Sequence, residues 1–199
     1  IVARPHTAAL AAVTQHRAHS GRTVEPERDA KGVSAETTFA RDLSALIDLE
    51  AELWPLAEEV AERLKRHHLA GRTVQLKLKT RSFKLLTRRT TLSGSTQLAE
   101  TLFKAGQKML AAEVQRDPRQ HYRLIGIGAA ELGAPGGPDA QSDLFAAAAP
   151  SVDDPRSAAV EKAMDAVRGK FGRSAIAKGR GLGSGAARRG RRDLPKVPE

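Results

Sequence analysis

Thr73–Leu92, TVQLKLKTRSFKLLTRRTTL, is the stretch that decides the fold. Its first eight residues alternate, so that Val74, Leu76 and Leu78 fall on one side of an extended chain and Gln75, Lys77 and Lys79 on the other. A polar turn, Thr80-Arg81-Ser82, follows, and Phe83 to about Leu92 reads as a second strand, which makes the stretch a hairpin. A sheet that turns the leucines inward must turn those lysines outward. Arg88 and Arg89 are adjacent and project to opposite faces, so at least one joins the lysines unless a bulge intervenes.

Two further strands flank the hairpin in sequence. Val33–Phe39 (VSAETTF) alternates and is rich in β-branched residues, and Tyr122–Leu132 (YRLIGIGAAEL) carries Leu124, Ile125 and Ile127 with glycines that mark a bulge or close packing. Two helical segments lie between the strands. Leu46–His68 places Leu49, Leu53, Leu56, Val60 and Leu64 on one face, with Pro55 expected to kink or divide it. The other starts after Gly94, with Ser95 or Thr96 as N-cap, and runs to about Val114 with Leu98, Leu102, Phe103, Met109 and Leu110 for burial. The order β-α-β-β-α-β implies an α+β fold: a four-stranded, mostly antiparallel sheet with two helices on one face and the other face open.

Around this domain, residues 31–132, the texture is different. Residues 1–30 read as an N-terminal remnant and linker, and 133–150 as a Gly/Pro/Ala linker that nonetheless keeps Leu144 and Phe145 side by side. Residues 151–172 hold one short, lone helix, capped by Asp153 or Asp154 with Pro155 in its first turn, above a thin stripe of Ala159, Ala163, Met164 and Val167. The basic, Gly-rich end, 173–199, reads as disordered. A first residue that is not Met suggests a piece of a longer chain.

Charge narrows the function. In 199 residues, 33 Lys+Arg face 23 Asp+Glu, a net +10, which points to a polyanionic partner. No acid occurs between Glu62 and Glu100, whereas ten cations do. The absence of cysteine excludes disulfides and thiolate metal sites and fits a reducing cytoplasm. No apolar run is long enough to span a bilayer, so no membrane partner is expected. A cationic sheet face can lie along duplex DNA and neutralise phosphates with little regard to base sequence. The candidate DNA contacts are Lys77, Lys79, Arg81, Lys84, Arg88 and Arg89, with Ser34, Glu36 and Thr38 of the first strand. Aromatic residues make up 4% of the chain and none falls obviously on this face, so base stacking finds little support.

Three segments, AKGVSAETTFARDL (30–43), GRTVQLKLKTRSFKLLTRRTTL (71–92) and YRLIGIGAAEL (122–132), together resemble the little-finger domain of a Y-family DNA polymerase, closest to its bacterial polymerase IV branch. The likeness runs from about Arg22 to Leu132, and residues 154–179 resemble the C-terminal extension of some bacterial members; residues 1–21 match no recognisable thumb. The resemblance implies a domain that grips the template-primer duplex in translesion synthesis. It also gives Leu144 and Phe145 a role. Gln141-Ser142-Asp143-Leu144-Phe145 matches the peptide by which such polymerases bind the bacterial sliding clamp, so Gln141, Asp143, Leu144 and Phe145 are the candidate clamp contacts.

Catalysis is not expected of this chain alone. The family's metal-binding carboxylates, and hence its Mg, belong to a palm domain, and nothing here reads as one; no cofactor is expected in this chain. The acids of 42–62 lie along an amphipathic helix, Asp153-Asp154 suits a cap, and His67-His68 lacks a third ligand. Two alternatives stay open: a non-catalytic, clamp-binding relative of the Y family, and a stand-alone nucleic-acid-binding protein of ferredoxin-like fold.

Overall fold

The computed structural model describes residues 32–135, 152–172 and 175–181. Strand β1 (Gly32–Leu43) leads into helix α1 (Leu46–Arg66), the hairpin β2 (Ala70–Thr80) and β3 (Leu85–Thr96), helix α2 (Ala99–Arg116) and strand β4 (Tyr122–Gly133). The sheet order is β1-β4-β2-β3 and every neighbouring pair is antiparallel. The late strand β4 thus inserts between β1 and β2, leaving β1 and β3 as edges.

Alternation in the hairpin does what period-two geometry requires. Val74, Leu76 and Leu78 are fully buried with Ile125 and Ile127 of β4 and with Leu49, Leu53, Val60 and Leu64 of α1 and Leu102 and Leu110 of α2. Both helices therefore cover one face. Trp54 of α1 meets Phe103 of α2 edge-on, with centroids 5.2 Å apart. Gly106 marks a close approach of the layers, since a Cβ there would stand 2.9 Å from Ile127 Cδ1 and 3.2 Å from Leu53 Cδ2.

Three boundaries depart from the sequence pattern. Pro55 lies inside α1 but does not divide it, because Leu53, Trp54, Leu56 and Ala57 on either side are buried and hold the turn in place. Strand β3 begins at Leu85 rather than Phe83 and runs on to Thr96, which pairs with Gly71, so α2 starts only at Ala99. Neither Ser95 nor Thr96 is its N-cap. Thr96 Oγ1 instead accepts the N–H of Leu98 at 3.0 Å and donates to Asp153 at 2.6 Å.

Helix α3 (Pro155–Phe171) is capped as expected by Asp154, whose carboxylate accepts the N–H groups of Arg156 and Ser157. It is not a lone helix. Its buried Glu161 accepts the Ala99 N–H at 3.0 and 3.1 Å and pairs with Lys65 at 2.6 Å, and its Arg168 pairs with Glu58 at 2.8 Å. Polar contacts rather than the thin apolar stripe dock it; Met164 is the one apolar side chain of α3 that is buried. Residues 175–181, within the stretch expected to be disordered, lie against the same helix layer: Lys178 and Arg180 bond the Glu100 carboxylate at 3.1 and 2.9 Å and stand over the Trp54 ring. Burial would raise the Glu100 pKa, but the hydrogen bonds and charges of Arg180 and Lys178 outweigh it and hold it below the usual carboxylate value. At Lys65 burial acts to lower the pKa, and Asp165 and Glu161 overcome it, so the ammonium titrates above its usual range.

Candidate nucleic-acid interface

The face of the sheet away from the helices is built in rows by the strand register. Ser34, Gly128, Gln75 and Arg89 form one row, and Glu36, Gly126, Lys77 and Thr87 the next. A third row runs Thr38, Leu124, Lys79 and Leu85. Ser34, Glu36, Thr38 and Arg89 are exposed, and Lys77 and Lys79 are half-buried by their neighbours.

Glycine shapes the middle of this face. A Cβ on Gly126 would stand 2.8 Å from Glu36 Cβ, and one on Gly128 would stand 2.9 Å from Ser34 Cβ. Only hydrogen fits at either position, and both glycines are buried, so the side chains of β1 and β2 close over β4 there. The glycines mark close packing, one of the two roles their positions suggested. Across β4 Lys77 Nζ reaches Glu36 Oε2 at 2.6 Å. The result is a closely packed sheet centre whose outer surface is made by polar side chains of β1 and β2.

Arg88 does not belong to this face. Its register partner is the buried Leu76, which puts it on the helix side, and its guanidinium pairs with the buried carboxylate of Glu113 at 2.7 Å, a group Arg116 also approaches at 3.3 Å. Period-two geometry sends one of two adjacent arginines inward, and Arg89 is the outward one. Arg81 and Lys84 lie in the hairpin turn, beyond the strands, with Arg81 3.8 Å from Asp42. The acid-free run of the sequence is thus partly neutralised in space. Arg63 pairs with Glu59, Arg66 with Glu62, and Lys65 with Glu161 and Asp165, all acids from outside that run. Among the described residues Lys79, Lys84 and Arg89 make no ion pair and carry the free charge of the open side.

One exposed aromatic was missed by sequence reasoning. Phe83, expected to start a strand, sits in the turn with φ of 65° and is 62% exposed. Arg123 and Lys79 lie 4.3 and 5.2 Å from its ring centroid. The one available signal was its place directly after Thr-Arg-Ser, in turn chemistry. Gln141, Asp143, Leu144 and Phe145 lie outside the described residues. Among those described, no cluster of three metal-ligating side chains occurs and no helix is long and apolar enough to cross a membrane.

Comparison with known proteins places the chain. The model of the impB/mucB/samB family C-terminal domain matches residues 30–144. DNA polymerase IV of Caulobacter vibrioides is 45% identical over 162 residues, covering 81% of this chain and 38% of the relative. DNA polymerase IV 1 of Mesorhizobium japonicum is 43% identical over 172 residues, covering 85% and 36%. The chain therefore spans less than two-fifths of these relatives. Among solved structures, an insertion ternary complex of Dbh DNA polymerase is similar at a TM-score of 0.48 and 12% identity, over 52% of this chain and 29% of that one. A complex of the beta-clamp processivity factor and the little finger domain of PolIV is similar at a TM-score of 0.44 and 23% identity, over 52% and 91%. With its family model matched from before β1 to past β4, the chain belongs to the impB/mucB/samB family, of which it carries the C-terminal domain.

Proposed function

We propose that this chain is the duplex-gripping and clamp-tethered portion of a translesion DNA polymerase. The observation that supports it best is the open sheet face, where the register of β2 and β3 sets Lys77, Lys79 and Arg89 in neighbouring rows. Phosphates of a duplex laid on this face are met by ammonium and guanidinium groups that read charge and spacing, not base identity. Ser34, Thr38 and Gln75 add hydroxyl and amide donors. Lys84 and Arg81 extend the same field past the hairpin tip. Glu36 works against this: it holds Lys77 in the free protein and must surrender it to a phosphate.

Gln141-Ser142-Asp143-Leu144-Phe145 is assigned to the sliding clamp, with Leu144 and Phe145 as the apolar anchors. Two such side chains bring roughly 1.5–3 kcal/mol each, less the cost of ordering their segment, so the peptide alone binds weakly. Joined to a DNA grip on the duplex that threads the clamp, it gains effective concentration rather than contacts. What this chain supplies is hold and placement, not bond making.

Fluorescence anisotropy with duplexes of unrelated sequence tests the grip. With about four phosphates neutralised, log K falls against log salt with a slope near −4; a flat salt response would refute it. Replacing Leu144 and Phe145 by Ala should abolish clamp pull-down and leave DNA binding and the melting curve intact.

A further inference from the structure

The hairpin tip carries a feature that phosphate neutralisation does not use. Phe83 is a bulky side chain in the left-handed backbone region, a conformation that residues other than glycine, asparagine and aspartate avoid. The turn imposes it. Phe83 donates its N–H to Thr80 O at 2.9 Å, Thr80 donates to Lys84 O at 2.9 Å, and Lys84 N–H returns to Thr80 Oγ1 at 3.0 Å. Arg81 N–H bonds His121 O at 2.9 Å, tying the turn to the segment before β4. A tightly bonded turn therefore holds an aromatic ring outside the core, more than half exposed to water.

Its surroundings fit one kind of ligand. Arg123, the extra residue of a register shift between Lys79 and Thr80 on β2, brings its guanidinium to 4.3 Å from the ring centroid, and Lys79 brings its ammonium to 5.2 Å. Leu85, 53% exposed, continues the apolar surface onto the open face beside Lys79 and Leu124. An apolar, planar surface ringed by Lys79, Lys84 and Arg123 suits a ligand that is flat and uncharged at its centre and anionic at its edge. A nucleotide answers that description. In a duplex both faces of a base are already stacked, so the ring has use only for one that is unpaired.

Resting on the DNA-gripping function proposed above, we infer that Phe83, with Leu85 and the flanking Lys79 and Arg123, forms a stacking site for an unpaired nucleobase of the single strand that leaves the gripped duplex. Phe83 takes the base, and the two cations take the phosphates on either side of it. The tip thereby registers the junction between paired and unpaired DNA, which a purely phosphate-reading face does not distinguish.

The test compares a blunt duplex with the same duplex bearing a single-stranded overhang that contains 2-aminopurine, using the full chain. The overhang should tighten binding about tenfold, in the range set by stacking one base on an aromatic ring, and quench the 2-aminopurine. Phe83→Ala should remove both the gain and the quenching while blunt-duplex affinity and salt slope stay unchanged; Phe83→Trp should restore them. Phe83→Gly, which suits the backbone angle, guards against loss of folding and should behave like Phe83→Ala. Equal affinity for blunt and overhanging duplexes in the wild type overturns the inference and leaves the grip standing. Failure to bind any duplex overturns the grip; binding of a free 2-aminopurine oligonucleotide then decides the stack, and indifference to Phe83→Ala overturns it.

Discussion

The carboxylate of Glu161 accepts the backbone N–H of Ala99, 62 positions earlier in the chain, at 3.0 and 3.1 Å. Ala99 is the first residue of α2, whose own N-cap position, Leu98, has no side chain able to accept a bond. The cap of one helix is thus supplied by another element, and the negative charge sits where the helix dipole favours it.

Glu161→Ala should cost about 1–3 kcal/mol in urea unfolding, because it leaves a buried donor without a partner and removes one carboxylate from Lys65. Glu161→Gln keeps an acceptor for Ala99 and should cost visibly less. Equal losses in the two variants would show that the pairing with Lys65, not the cap, carries the effect.

Arg88 and Arg89 should separate cleanly. Arg88→Ala strips the buried Glu113 of its shorter ion pair and should lower stability by about 1–3 kcal/mol with little change in DNA affinity. Arg89→Ala should leave the melt within about 0.5 kcal/mol and weaken binding on every duplex alike, with a salt slope shallower by about 0.9. Calorimetry and anisotropy on the two purified variants provide both numbers.

Removing an acid should strengthen the grip. Glu36→Gln frees Lys77 and deletes a carboxylate that faces the phosphates, so affinity should rise up to about fivefold, the scale of one exposed pair. The salt slope should stay nearly the same, because Lys77 already meets a phosphate in the wild-type complex. A slope steeper by about 0.9 would mean that Glu36 keeps Lys77 from the DNA.

Glu100 predicts an acid-sensitive contribution from the C-terminal segment. Its folded pKa lies below the unfolded value, so its stabilisation is fully present above about pH 4.5 and is lost as the pH falls through the folded value. Glu100→Gln should therefore be less stable than the wild type at pH 7, and the gap should close on acidification. Lys65 has the opposite sign: its raised pKa gives stabilisation that is complete below about pH 10.5 and fades above it.

Much of the fold was legible because the side-chain period of a strand leaves little freedom. Once Val74, Leu76 and Leu78 were read as inward, the outward place of Lys77 and Lys79 followed. Signals that act at a distance were not legible. Nothing near Ala99 announces that its cap stands at Glu161, and the acid-free run gives no hint that Glu113, Glu161 and Asp165 fold back to neutralise part of it. Phe83 was misassigned because a bulky residue in a strand-like pattern shows no sign of a positive φ, which only the hydrogen bonds of the turn impose.

Docking of α3 also changes the mechanics of what lies before it. The chain leaves the sheet after β4, near Pro135, and is caught again at Val152 and Asp153, the latter bonded to Thr96 and Thr101. Positions 135 and 152 are thus both fixed to one body, the first as the exit of β4 and the second through bonds that reach β3 and α2. A pull on the second is met in series: first by the two threonine hydroxyls on Asp153, then by the Glu161 and Arg168 pairs of α3. Losing the Asp153 bonds alone would leave that end moored.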